Sequence, residues 1–169
     1  MGGSEGDSNP IGAEELAAFE AVATLKARYF RLMDLKQWDD WEKLYASSAT
    51  MDMRDEDSSM ARLGIDVGDK EAWLLKSPAG IRDGVEAALT GVTSVHHGHM
   101  AEVQIVEPGR IRAIWAMEDV IRYGEGRPIA GFNGYGHYHD TYIFEDGRWL
   151  IDRVTLKRLH LDPIPHQNT

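Results

Sequence analysis

Val95-His96-His97-Gly98-His99-Met100-Ala101-Glu102-Val103-Gln104-Ile105-Val106-Glu107-Pro108-Gly109 is the stretch that decides the fold. Val95 to Val106 reads as a long β-strand, and the Glu-Pro-Gly sequence ends it as a hairpin turn would. The pattern then recurs down the chain. Arg110 to Tyr123 ends at Gly124-Glu125-Gly126, Ile129 to Phe144 ends at Asp146-Gly147, and Arg148 to His160 closes the series. Strands joined this tightly run antiparallel, because a parallel pair needs a long crossover between its members.

Upstream the period changes from two to between three and four. From Glu14 to Met33 the residues Leu16, Phe19, Val22, Leu25, Tyr29, Phe30, Leu32 and Met33 define a long amphipathic helix. A shorter second helix places Trp38, Trp41, Leu44 and Tyr45 on one side and Asp39, Asp40, Glu42 and Lys43 on the other. A short strand follows over Ala49 to Arg54. Asp55 to Ser77 shows no sustained period, and its Met60, Leu63, Ile65, Trp73, Leu74 and Leu75 are too apolar for a solvated loop, so it reads as a lid or an arm against a partner subunit. A third helix spans Ile81 to Leu89, with Gly91 in the capping role. Three helices before a run of hairpin-linked strands give an α+β fold, with the helices covering one face of a curved, cone-shaped antiparallel sheet. Residues 1–10 read as a flexible leader, 11–162 as one domain and 163–169 as a C-terminal tail.

Composition removes several kinds of chemistry. The formal charge is −10, from 28 acidic against 18 basic residues, which disfavours nucleic acid and anionic membranes as partners. No apolar run reaches membrane-spanning length and the N-terminus lacks the order of a signal peptide, so a soluble, cytoplasmic protein is expected. The absence of cysteine excludes disulfides, thiolate nucleophiles and thiolate metal sites.

Proton chemistry near neutral pH then falls to histidine, and three of the seven stand within His96 to His99. Strict alternation puts Val95, His97, His99, Ala101, Val103 and Ile105 on one face and His96, Gly98 and Met100 on the other. Burial alone would send the first set inward, unless Gly98 marks a bulge that resets the phase. His97/His99 and His137/His139 also raise a divalent-ion site between neighbouring strands, but no ligand motif such as His-Glu-x-x-His accompanies them, and chemistry without metal or cofactor is expected. Gly131, Gly134 and Gly136 lie inside a strand series with no helix after them, so close backbone packing explains them better than a nucleotide loop.

Three segments taken together resemble the SnoaL-like branch of the nuclear-transport-factor-2-like superfamily. They are Tyr29-Phe30-Arg31-Leu32-Met33-Asp34 with Trp38-Asp39-Asp40-Trp41, Val95-His96-His97-Gly98-His99, and Gly136-His137-Tyr138-His139-Asp140-Thr141-Tyr142 leading to Asp146-Gly147-Arg148-Trp149. The resemblance implies a cone with a deep pocket, assembled as a homodimer or homotrimer through the outer sheet face. The positions are similar to those of cofactor-free lyases of this fold, such as bile-acid dehydratase, scytalone dehydratase and hexachlorocyclohexane dehydrochlorinase. It implies His96 as general base with His97 as the alternative, Asp34 as its carboxylate partner, and Tyr29, Asp119 and Arg158 as further site residues. For Asp34 and Tyr29 simpler roles stand beside these, a cap on the second helix made with Gln37 and a core aromatic.

An Asp–His pair without a nucleophile to activate suits proton removal at carbon. With a leaving group this is dehydration or a related β-elimination, with neutral Asp119 as the acid. Without one it is isomerisation. Trp38, Tyr45, Met53, Trp73, Phe132, Tyr135 and His137 are expected to line the pocket, which favours a bulky hydrophobic or aromatic small molecule. A ligand-binding module, the β-subunit of an aromatic-ring dioxygenase and a polyketide cyclase are the alternatives.

Overall fold

The computed structural model describes residues 12–54, 60–61, 63–66 and 68–167. The leader expected at 1–10, the end of the tail and parts of the 55–77 segment lie outside these residues. Helix α1 (Ala13–Asp34) opens with the Gly12 amide donating to the Glu15 carboxylate at 2.9 Å, and its Val22, Leu25, Tyr29, Leu32 and Met33 stripe is buried. Helix α2 (Trp38–Glu42) is shorter than the sequence suggests, and strand β1 (Tyr45–Asp52) begins where the helical stripe was expected to continue. The reason is tertiary. The Leu44 carbonyl accepts from the Ile151 amide at 2.9 Å and Tyr45 already pairs with Ile151, so the last strand captures the chain there.

The described end of the 55–77 segment is more regular than expected. Lys70–Trp73 forms a 3₁₀ turn and β2 (Leu74–Lys76) pairs antiparallel with β1. Helix α3 (Pro78–Leu89) starts three residues before the expected Ile81, with Ser77 accepting from the Gly80 amide at 3.3 Å and Pro78 in its first turn. Gly91 follows at φ +71°, as its capping role requires.

Strands β3 (Thr93–Glu107), β4 (Arg110–Arg122), β5 (Gly131–Glu145) and β6 (Arg148–Ile164) form the hairpin series, β6 running four residues past the expected His160. The single sheet has the order β2-β1-β6-β5-β4-β3. The pairs are antiparallel except β1 with β6, which is parallel because β1 reaches its place after the helices rather than through a hairpin. The helices cover the concave face, and the core lies between α1, α3 and the inward residues of β1, β4, β5 and β6.

One irregularity positions the site. Along β3, Gly98 pairs with Met117 but Ala101 pairs with Trp115, so His99 and Met100 together oppose Ala116. This β-bulge shifts the phase of the strand by one residue. Before it, Ser94 and His96 point inward; after it, Ala101, Val103 and Ile105 pack on the core. His97 stays on the outer face, and burial of the apolar residues and burial of His96 are both satisfied.

Candidate active site

The concave face holds a cavity of about 340 Å³ between α1, α3 and the sheet. Tyr29, His96, Asp119 and Arg158 line it, together with Met53, Trp73 and Phe132. Met33, Met51, Leu75, Val85, Ile121 and Tyr138 add a mainly apolar wall.

Asp34 ends α1 and sits behind the histidine. Its Oδ1 lies 2.6 Å from His96 Nδ1, and its Oδ2 accepts from the His96 amide at 2.8 Å. The Ser94 hydroxyl donates to the same Oδ1 at 2.9 Å. Burial pushes the Asp34 carboxyl up, but the His96 ring, the His96 amide and the Ser94 hydroxyl together outweigh it and hold the pKa below the ordinary value. An ionised Asp34 can only accept, so Nδ1 carries the hydrogen of this contact. The Phe30 ring lies nearly parallel to the imidazole, with 10° between planes and 6.4 Å between centroids. Helix α2 has no side-chain cap, so the capping role considered for Asp34 is not the one it fills.

Asp119 is the cross-strand partner of His96 and of Gly134. It is paired at both oxygens with Arg158, Nη1 to Oδ1 at 2.9 Å and Nη2 to Oδ2 at 2.8 Å, with both side chains 4% exposed. A Cβ at Gly134 would overlap Arg158 Nη1 and Asp119 Oδ1, so this strand glycine makes room for the pair. Asp119, expected as a neutral acid, thus has both oxygens engaged by one guanidinium and anchors Arg158 at the cavity wall.

Tyr29 is 2% exposed, its ring between those of Phe30, Trp41, Tyr45 and Tyr138. Burial first, then Tyr45 and Asp140, push its pKa well above the ordinary value, so it remains a neutral phenol and a donor. Beneath it, Lys26 is buried against Asp140 at 2.8 Å, its ammonium 4.2 Å from the Tyr29 ring centroid and 3.8 Å from that of Tyr138. Tyr142 donates to Asp140 at 2.7 Å and accepts from Trp115 Nε1 at 3.0 Å.

Four expected lining residues stand elsewhere. Tyr45 is packed behind Tyr29 and Trp41 in the core. Trp38 lies on the far side of α2, 5.8 Å from the Lys36 amine. Tyr135 and His137 point from the outer face of β5, Tyr135 stacking on His160 at 6.1 Å. Inward-facing Tyr138, one residue on, is the β5 aromatic at the cavity, and the alternation of that strand carries the signal that finds it. The histidine pairs do not meet, because β4 separates β3 from β5, and among the described residues no group of three His, Asp or Glu is placed to hold a metal ion.

A model of the SnoaL-like domain matches residues 14–155. The chain belongs to the SnoaL-like family. It is 29% identical over 148 residues to "Probable cyclase FGR4" of Gibberella zeae, covering 83% of this chain and 93% of that protein. Among solved structures, this SnoaL-like chain superposes on a scytalone dehydratase-like protein from Novosphingobium aromaticivorans with a TM-score of 0.69 at 16% identity, over 91% of this chain and 96% of that one. It matches hexachlorocyclohexane dehydrochlorinase LinA-type3 from Novosphingobium barchaimii with a TM-score of 0.72 at 16% identity, over 92% and 98%. These likenesses establish the SnoaL-like fold, and no helix among the described residues is long and apolar enough to cross a membrane.

Proposed function

We propose that the protein is a cofactor-independent lyase or isomerase acting on a bulky hydrophobic or aromatic small molecule, and that it assembles as a homodimer or homotrimer through the outer face of the sheet. The observation that carries the reading is the 2.6 Å contact between Asp34 and the His96 ring at the wall of an apolar cavity. In this reading Nε2 of His96 takes a proton from a substrate carbon, and Asp34 stabilises the imidazolium that forms. The electron pair left on carbon makes the new double bond as the neighbouring C–O bond breaks. Tyr29 donates a hydrogen bond to the departing oxygen and Arg158 offers positive charge to it, while the proton on His96 is available to return to that oxygen. The apolar walls exclude water and strengthen each of these interactions. Without a leaving group the same proton is delivered to another carbon, which moves a double bond.

The likeness to a protein named a probable cyclase favours a second reading, in which the carbanion formed by His96 closes a ring on a carbonyl of the same substrate. The structure of the product separates the two. Tested on hydroxylated polycyclic aromatics and steroids, with the new conjugated double bond followed by ultraviolet absorbance, the wild type turns over with or without chelator. His96→Ala and Asp34→Asn lose about 10²- to 10⁴-fold in rate. Wild-type turnover in either variant removes His96 or its carboxylate partner from the mechanism.

A further inference from the structure

The hydrogen-bond chain does not end at Asp34. Lys36 Nζ donates to Ser94 Oγ at 2.7 Å, and Ser94 Oγ donates to Asp34 Oδ1 at 2.9 Å. Because the serine oxygen accepts from the lysine, its one hydrogen is directed at the carboxylate. Ser94 stands two residues before His96 and so on the same face of β3, ahead of the bulge. Lys36 occupies a left-handed backbone conformation, φ +58°, just after α1, where glycine or asparagine is usual. That strain is tolerated where the side chain has a use, and here the amine is held between Ser94 and the Trp38 ring.

We propose that Lys36 and Ser94 are positioning residues that moderate the pull of Asp34 on the His96 ring. An aspartate 2.6 Å from a histidine ring favours the imidazolium, and a base that is already protonated cannot act. The relay opposes this in two ways. The Ser94 hydroxyl takes up part of the accepting capacity of Oδ1, and the half-buried Lys36 cation disfavours a second positive charge nearby. Other titratable or charged groups sharing the cavity with His96 are Asp119 from β4, paired with Arg158 from β6, neutral Tyr138 from β5, neutral Tyr29 from α1, Asp66 from the segment before β2, and Tyr123 and Arg127 from the connection between β4 and β5. Lys26 lies deeper, against Asp140.

This inference rests on His96 being the base, and its test separates the two ideas without needing the substrate. The His96 ring resonances are titrated by NMR in the full-length wild type, Asp34→Asn, Ser94→Ala, Lys36→Met and Lys36→Arg. Asp34→Asn lowers the midpoint; a midpoint that does not fall in this variant overturns the Asp–His pair itself. Ser94→Ala and Lys36→Met each raise the midpoint by about half a pH unit or more, the order expected for removing one partly screened charge or hydrogen bond near the ring, and Lys36→Arg keeps it near the wild-type value. With the Asp34→Asn shift present, a midpoint that stays put or falls in both Ser94→Ala and Lys36→Met overturns the relay and leaves the pair standing.

Discussion

Asp34 receives three hydrogen bonds, two of them from His96, and so ties the end of α1 to β3 through its charge. Its folded-state pKa lies below the ordinary 3.8. A depressed carboxylate contributes stability that is fully present above the unfolded value and is lost as pH falls through the folded one. Urea midpoints measured from pH 3 to 7 should therefore show the wild type ahead of Asp34→Asn by roughly 1–3 kcal/mol near pH 6. The lead shrinks below pH 4, and a lead that persists there refutes the account. Much of the site's cast was legible in the sequence as positions. Asp34 at a helix end, His96 in a histidine run and Asp119 and Arg158 on strands are all brought to one place. What did not show was orientation. Tyr135, read as part of an aromatic lining, and His137 are expected at the cavity, yet a strand's composition does not say which side its neighbours bury. Ser94 and Lys36 were missed because a serine and a lysine carry no pattern until a carboxylate is found beside them.

The element that reconciles these placements is β3. A regular strand would expose either His96 or the Ala101, Val103 and Ile105 set, since a slip of one residue turns every side chain over. The His99–Met100 bulge lets both face inward. Deleting Met100 should restore an unbroken ladder and force the choice. Either the apolar set turns outward, and the melting temperature drops sharply, or His96 leaves the cavity, and its ring loses the Asp34 contact in an NMR spectrum. A variant with both intact would show that the bulge is dispensable. A similar irregularity explains the error over α2 and β1. Between Tyr45↔Ile151 and Thr50↔Arg153 the ladder with β6 takes up extra residues of β1, so the period-two signal starts only near Ala49, although the strand starts at Tyr45. The hairpins, by contrast, were readable to within a few residues because their turn chemistry is local. Asp146 and Gly147 both hold positive φ, as a two-residue hairpin turn demands.

Across the whole molecule, the cavity floor rests on a charged pair within an aromatic core. Burial pushes the Lys26 pKa down while Asp140 pushes it back up, and the ammonium is also enclosed by the Tyr29, Phe30 and Tyr138 rings. Lys26→Met leaves Asp140 buried without its cation and should cost about 3–5 kcal/mol, whereas Lys26→Met with Asp140→Leu should recover most of it. Denaturant unfolding of the two variants measures this, and equal losses in both would mean that the aromatic packing, not the charge, was disturbed. The outer face presents Val95, Ile114 and Tyr135 among its histidines, the apolar surface through which the proposed assembly would form. Ile114→Asp should reduce the sedimenting mass to that of one chain, and an unchanged mass would move the interface elsewhere. The sheet order has one more consequence, which belongs to synthesis on the ribosome. The last strand of the chain lies third in the sheet, between β1 and β5, and it brings Arg158. Until β6 has been translated, the growing polypeptide holds two separate ribbons, β1 with β2 and β3 with β4 and β5, and neither has the other's edge to close on. The bowl therefore closes only when β6 takes its place between β1 and β5, and a nascent chain stalled before Arg148 leaves two ribbons with open sheet edges.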